Sequence, residues 1–201
     1  MDIAQPHLAS DARPDIAAME ASPAMPSILV VMGVSGSGKS TIGTQLAIQL
    51  RWEFEDGDWF HPARNIDKMQ AGIPLTDEDR APWLIAIADF IDQARLSRTR
   101  AVVACSALKR RYRTVIIGNR PDVRLVYLKG NMELIARRVA ARHEHFMPQS
   151  LLESQFEALE EPGPDERPIV VSIEPRPREI VTSVLDALKA QTSKPDAVPT
   201  R

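Results

Sequence analysis

Eight residues, Gly33-Val-Ser-Gly-Ser-Gly-Lys-Ser40, constrain this chain more than any other stretch. They fit the pattern Gly-x-x-x-x-Gly-Lys-Ser/Thr. Small residues let successive backbone N–H groups turn inward around an anion, which a loop crowded with Cβ atoms would obstruct. Such a loop needs a buried strand before it and a helix after it, so that the helix dipole aims at the same oxygens. Both flanks are present. Ile28 to Met32 is wholly apolar and rich in β-branched residues, the pattern of a strand buried on both faces. After Lys39, the residues Ile42, Leu46 and Leu50 recur along one helical face. The four fixed positions alone arise by chance in about one 200-residue chain in a hundred. The loop from Gly33 through Val34, Ser35, Gly36, Ser37, Gly38, Lys39 and Ser40 to Thr41 is therefore expected to bind ATP. Lys39 reaches the β- and γ-phosphates, and the Ser40 hydroxyl is a Mg²⁺ ligand.

Strand and helix patterns alternate through the rest of the chain. Strands are expected near Trp52 to Glu55, Ala101 to Cys105, Val123 to Leu128 and Ile169 to Ile173. Helices are expected over Pro62 to Ala71, from a Thr76/Asp79 capping box with Pro82 in the first turn to about Leu96, and onward from Lys109. Further helices run from Asn131 to His143, from Gln149 to Glu160 and from Pro177 to Ala190. Five β/α units predict an α/β fold of three layers, a five-stranded parallel sheet with helices on both faces. At 201 residues and 44% hydrophobic, this is one domain with a real core. Residues 1–26 show no periodicity and read as a mobile arm, without the marks of a signal or transit peptide. The tail over residues 191–201 reads the same way, which leaves 27–190 as the domain.

Composition excludes several classes of function. No apolar run approaches the roughly 20 residues of a membrane span. A net charge of -2 argues against a general nucleic-acid binder. The single cysteine, Cys105, rules out a disulfide scaffold and suits the reducing cytoplasm. The guanine-specifying Asn-Lys-x-Asp pattern and the Asp-x-x-Gly switch of GTPases are both missing, and the strand AVVAC ends in Cys105-Ser106 rather than the aspartate usual in motor ATPases. Small-molecule and nucleotide kinases remain.

Three polar constellations bear on such a reaction. Asp56 and Asp58, spaced by Gly57, follow the second strand and so lie at the same sheet edge as the phosphate loop. One carboxylate can hold a metal-bound water and the other accept a proton from a hydroxyl. His61, Arg64, Asn65 and Lys68 recur on one helical face, which suits an anionic or polyhydroxy ligand and equally a solvated surface. Lys109 follows the third strand, and Arg138 and Arg142 lie on the helix expected from Asn131 to His143, where arginines can close over ATP as a lid. His143 and His145 have no third partner for a metal.

Read together, the stretches MGVSGSGKST, DGDWFHPARNIDKMQAGIPLTDEDRAPWL, VVACSALKRRYR, LVYLKG and LLESQFEALEEP resemble the gluconate kinase (gluconokinase) family, in order from about Ser27 to Ala190. The resemblance implies a nucleoside-monophosphate-kinase-like fold with a helical lid, ATP-dependent phosphorylation of D-gluconate, and a homodimer. It casts Asp58 as the residue that orients the gluconate hydroxyl and Asp56, with Ser40, as the Mg²⁺ site. Arg64, Lys68, Arg80 and Lys109 become candidates for the sugar-acid carboxylate, His61 and Asn65 for its hydroxyls. Lys39, Arg138 and Arg142 would steady the moving charge. The adenine is expected near the loop between Pro162 and Arg167 or after Ile173. Shikimate or nucleoside-monophosphate phosphorylation, or nucleotide binding without catalysis, are the other readings.

Overall fold

A computed structural model describes residues 25–140 and 149–192. Its strands are β1 (Ile28–Met32), β2 (Glu53–Asp56), β3 (Ala101–Ala104), β4 (Val123–Lys129) and β5 (Ile169–Ser172). The helices are α1 (Lys39–Leu50), α2 (Ala63–Gln70), α3 (Asp77–Leu96), α4 (Arg110–Ile116), α5 (Met132–Ala140), α6 (Gln149–Ala158) and α7 (Pro177–Thr192). Two short 3₁₀ turns, Gly57–Phe60 and Pro164–Glu166, complete the order.

The strands form one parallel sheet in the order β2-β3-β1-β4-β5, as the alternating pattern predicts. In β1 the side chains alternate between two cores. Leu29 and Val31 pack with Ile42, Leu46 and Leu50 of α1 and with Ile180, Val184 and Leu188 of α7. Ile28, Val30 and Met32 face the other way, against Trp83, Leu84, Ile87 and Ile91 of α3 and Ile116 of α4. A strand buried on both sides needs apolar residues at every position, which is why β1 and β3 read as continuous runs. The neighbours β1 and β4 send the chain on to opposite edges of the sheet, to β2 and to β5. Their C-terminal ends thus open a crevice that suits a ligand, and the glycine-rich loop leaves β1 there.

Met25 is already buried in the α1/α7 core, so packing begins ahead of the boundary expected at residue 27. Residues 1–24, 141–148 and 193–201 lie outside the described part. The expected capping box of α3 is present, with Asp79 N–H donating to Thr76 Oγ1 and Thr76 N–H to Asp79 Oδ2. Pro82, however, falls in the second turn of α3, not the first. It leaves the Glu78 carbonyl without its helical partner, and that residue is exposed to water. Among the described residues no helix is long and apolar enough to cross a membrane.

One buried charge ties the far end of the chain to the middle. Arg113 of α4 is 2% exposed and forms a fork with Glu166, at 2.6 and 2.9 Å. Its Nη1 donates to the carbonyls of Ala107, Leu108 and Glu160 at 3.1, 3.0 and 2.9 Å. Every contact is made by a planar fork that lysine cannot reproduce. Arg113→Ala strands Glu166 and three carbonyls and is expected to cost roughly 3 kcal/mol of stability. Urea unfolding checks this; a loss below about 1 kcal/mol, the range of an exposed pair, would mean that water replaces the clasp.

Candidate active site

The loop between β1 and α1 wraps the site at the sheet edge. Gly36 has φ 83°, and a Cβ there would lie 2.7 Å from Val139 and 3.0 Å from Ile135 of α5. Only glycine satisfies both that backbone and that approach. Lys39 Nζ donates to the Val34 carbonyl at 3.2 Å, which folds its side chain back over the loop.

The two carboxylates after β2 are joined to this loop. Ser40 Oγ donates to Asp56 Oδ2 at 2.6 Å, while Asp56 Oδ1 accepts the Asp58 N–H at 3.1 Å. Asp56 therefore holds the turn that presents Asp58. Two further contacts fix that turn from below. Trp83 Nε1–H of α3 donates to the Gly57 carbonyl at 2.7 Å. Gly57 itself sits so close to β3 that a Cβ would be 2.5 Å from the Ala104 carbonyl. The Asp58 side chain projects from this anchored turn into solvent.

The expected polar face of α2 divides into inside and outside. Arg64 is exposed, but Asn65 is fully buried, so it is not on the outer face that the helical spacing suggests. Its Nδ2 donates to the Asp79 carbonyl at 2.8 Å and lies 3.4 Å from His61 Nδ1. A carbonyl can only accept, so the amide orientation is settled: the second Nδ2 hydrogen faces His61 Nδ1. That contact favours the tautomer in which Nδ1 accepts and the ring carries its proton on Nε2. His61 also stacks on Trp83, with ring centroids 4.4 Å apart at 11°. Burial lowers the His61 pKa; Asp58 pulls it up and Arg80 down. Unfolded, the same ring takes its ordinary value of 6.5. The unfolded chain thus binds this proton first, and stability tied to His61 is full above that pH and lost as pH falls toward the folded value. Between about pH 6.5 and pH 5 the melting temperature should fall less steeply in His61→Gln than in the wild type. Parallel curves would show that the ring protonates freely in the fold.

The cations expected around the substrate are partly engaged. Lys68 Nζ meets both Asp79 carboxylate oxygens, at 2.7 and 2.8 Å, and this bond above all holds the Asp79 pKa near about 2. Lys109 Nζ lies 3.2 Å from Asp77, which also accepts from Arg111 and from the Tyr112 hydroxyl. The Tyr112 bond, with the Lys109 and Arg111 charges, holds Asp77 at about 2. Arg80 donates to the Leu75 carbonyl and lies over the Tyr112 ring, and its charge acts on His61. Arg138 donates to the Ile173 carbonyl, and Arg142 lies outside the described residues with His143 and His145. Beside Ile173 a cleft of about 620 Å³ opens between Gly130, Asn131, Met132, Phe156, Ser172 and Glu174. Cys105 is core, its thiol pushed up to about 12 by burial.

Two residues escaped the reading of the sequence: Trp83 holds the carboxylate turn, and Gln155 of α6 reaches the loop. Both are distant in sequence from what they touch. Asp79, expected only as a helix cap, also holds Lys68 of α2. The signal for Gln155 was its place beside Leu152 and Phe156, whose spacing seats α6 on the core.

A protein-family model described as Shikimate kinase matches residues 35–189. The thermoresistant gluconokinase of Escherichia coli (strain K12) is 43% identical over 163 residues, which cover 81% of this chain and 93% of that protein. The crystal structure of a gluconokinase from Sinorhizobium meliloti 1021 aligns with a TM-score of 0.77 at 43% identity, covering 84% of this chain and 94% of the other. Shikimate kinase from Acinetobacter baumannii, in complex with shikimate, aligns with a TM-score of 0.56 at 20% identity over 89% of this chain and 99% of its own. That last likeness is one of fold.

Proposed function

The chain belongs to the gluconokinase family, and from that membership we infer that it transfers the γ-phosphoryl group of ATP to the terminal hydroxyl of D-gluconate, giving 6-phospho-D-gluconate. The observation that carries the assignment to residues is the run of contacts from Ser40 through Asp56 to the Asp58 turn. It joins a phosphate-binding loop to a carboxylate that can meet a hydroxyl.

The loop from Gly33 to Thr41 holds the phosphates, with Lys39 at the terminal one. The purine lies in the cleft beside Ser172 and Glu174. Phosphoryl transfer passes through a loose transition state, so the protein's task is to place the hydroxyl in line and to steady the spreading charge. Asp58 orients that hydroxyl and takes its proton late. His61, held neutral, offers Nε2–H to a sugar hydroxyl. Arg64 and Arg80 attract the carboxylate; Lys68 and Lys109 meet it by exchanging Asp79 or Asp77 for the substrate. Asn65 acts through His61. Arg138 and Arg142 close over the phosphates, for which Arg138 must leave the Ile173 carbonyl.

A kinase of this family uses a metal ion, and the donor set fits Mg²⁺. That ion takes one or two protein oxygens and fills its sphere with water and phosphate. Ser40 Oγ and the Asp56 carboxylate are such oxygens, and among the described residues no cluster of three or more acidic, histidine or cysteine side chains offers an all-protein cage. When bound, the ion neutralises charge on the β- and γ-phosphates. The same family membership is the ground for reading the chain as a cytoplasmic homodimer, which sedimentation of the purified protein checks.

Purified protein with ATP and Mg²⁺ should phosphorylate gluconate, and glucose, which lacks the carboxylate, poorly. Shikimate and nucleoside monophosphates should be inert. Equal turnover of glucose and gluconate would remove the cations from carboxylate recognition. Faster turnover of shikimate would move the chain to the other branch of the matched family.

A further inference from the structure

Gln155 lies on α6, 120 residues beyond the glycine-rich loop in sequence, yet its carboxamide closes on Ser35. The Ser35 N–H donates to Gln155 Oε1 at 2.7 Å, and Gln155 Nε2 lies 3.0 Å from Ser35 Oγ. An amide N–H can only donate, so the carboxamide orientation is settled by chemistry. The carbonyl of this same peptide unit, that of Val34, accepts from Lys39 Nζ at 3.2 Å. One peptide plane is thus gripped at both ends, by Gln155 on its N–H and by Lys39 and the Ser37 N–H on its oxygen. Rotating it would move the point to which the lysine is tied. The next residue, Gly36, is packed closely as well, with no room for a Cβ beside Val139 and Ile135 of α5. Both helices that flank residues 141–148 therefore bear on the loop.

Leu152, buried at 3%, and Phe156 seat α6 against the sheet and aim the side chain between them at the loop. A glutamine placed only to pack there would need no partner on the loop. Its two bonds instead fall on the one residue whose peptide also binds the lysine.

We propose that Gln155 is a positioning residue of phosphoryl transfer: it fixes the Val34–Ser35 peptide and, through it, the place where Lys39 meets the terminal phosphate. The proposal rests on the kinase reading of the site. Lys39 serves the β- and γ-phosphates and ADP lacks the second, so the effect should be larger on ATP than on ADP.

The test uses the full chain with Gln155→Leu and Gln155→Met. Gln155→Leu keeps the bulk but drops both bonds; kcat should fall about 10- to 100-fold, on the scale of a small misplacement of reacting groups. KM for gluconate should stay within about twofold, and calorimetry should show weaker ATP binding with a smaller loss for ADP. A folded Gln155→Leu protein with wild-type kcat and a wild-type ratio of ATP to ADP affinity overturns the proposal. Should that variant fail to fold, Gln155→Met decides: an unbranched side chain of similar length packs beside Leu152 and Phe156 but makes neither bond to Ser35. The same fall in kcat and in the ratio of ATP to ADP affinity is expected, and wild-type values of both in the folded variant also overturn the proposal. The two failures are distinguishable. Wild-type protein inert toward gluconate sinks the substrate assignment, while the calorimetric ratio, measured without gluconate, still judges Gln155.

Discussion

Asp58→Asn is expected to lower kcat by about two orders of magnitude or more while leaving ATP binding almost unchanged. The substitution preserves shape and one acceptor oxygen. The turn beneath it is held by bonds that do not involve the Asp58 side chain: the Asp56 carboxylate takes its N–H, and Trp83 takes the Gly57 carbonyl. Melting temperature should therefore not move, and the loss belongs to the missing negative charge. That charge orients the attacking hydroxyl and accepts its proton, and general-base help alone is typically worth about 10²- to 10⁴-fold. Asp56→Asn makes the contrast. Its carboxylate bridges Ser40 and the Asp58 N–H, and asparagine can keep the second of these. What it loses is a charged oxygen for Mg²⁺, so raising the metal concentration should restore part of the rate. A dead Asp56→Asn beside a nearly normal Asp58→Asn would exchange the two roles.

Lys39→Ala is expected to reduce kcat by about 10²- to 10³-fold, the range for removal of a single group that stabilises transition-state charge. KM should rise much less, because the lysine serves the moving phosphoryl group more than the resting nucleotide. The Lys39 ammonium lies on the Val34 carbonyl at 3.2 Å, and its loss does not open the apolar core formed by Ile42, Leu46 and Leu50. Steady-state kinetics beside a thermal melt separates chemistry from folding. A folded variant with wild-type kcat would count against the kinase reading as a whole.

Several features were legible in the sequence because they depend on neighbours in the chain. The glycine spacing, the apolar run before it and the amphipathic stretch after it are local, and hydrogen bonding with steric limits converts them directly into strand, loop and helix. The Thr76/Asp79 box is local in the same sense, and it formed as expected. The parallel sheet followed from alternation, since a strand joined to the next by a helix pairs with its partners in parallel. Asp56 and Asp58 could be placed near the loop because all parallel strands end at one edge.

The division of the α2 face was not legible. Arg64, Asn65 and Lys68 have similar polarity and helical spacing, yet Arg64 faces water, Asn65 is sealed against α3, and Lys68 spends its charge on Asp79. That outcome is decided by the packing of α2 against α3, and no residue within α2 encodes it alone. Arg113 in α4 looks like any cation of a basic helix, but the loop after α6 folds over it and supplies both its counterion and an acceptor. Gln155 and Ser35 are the extreme case, a contact that spans 120 residues. Sequence spacing settles which backbone forms and which way a side chain leaves its own element. Which polar group receives a side chain depends on how separate elements stack, because burial leaves a donor or acceptor no water and it must take the partner that the tertiary fold brings within reach.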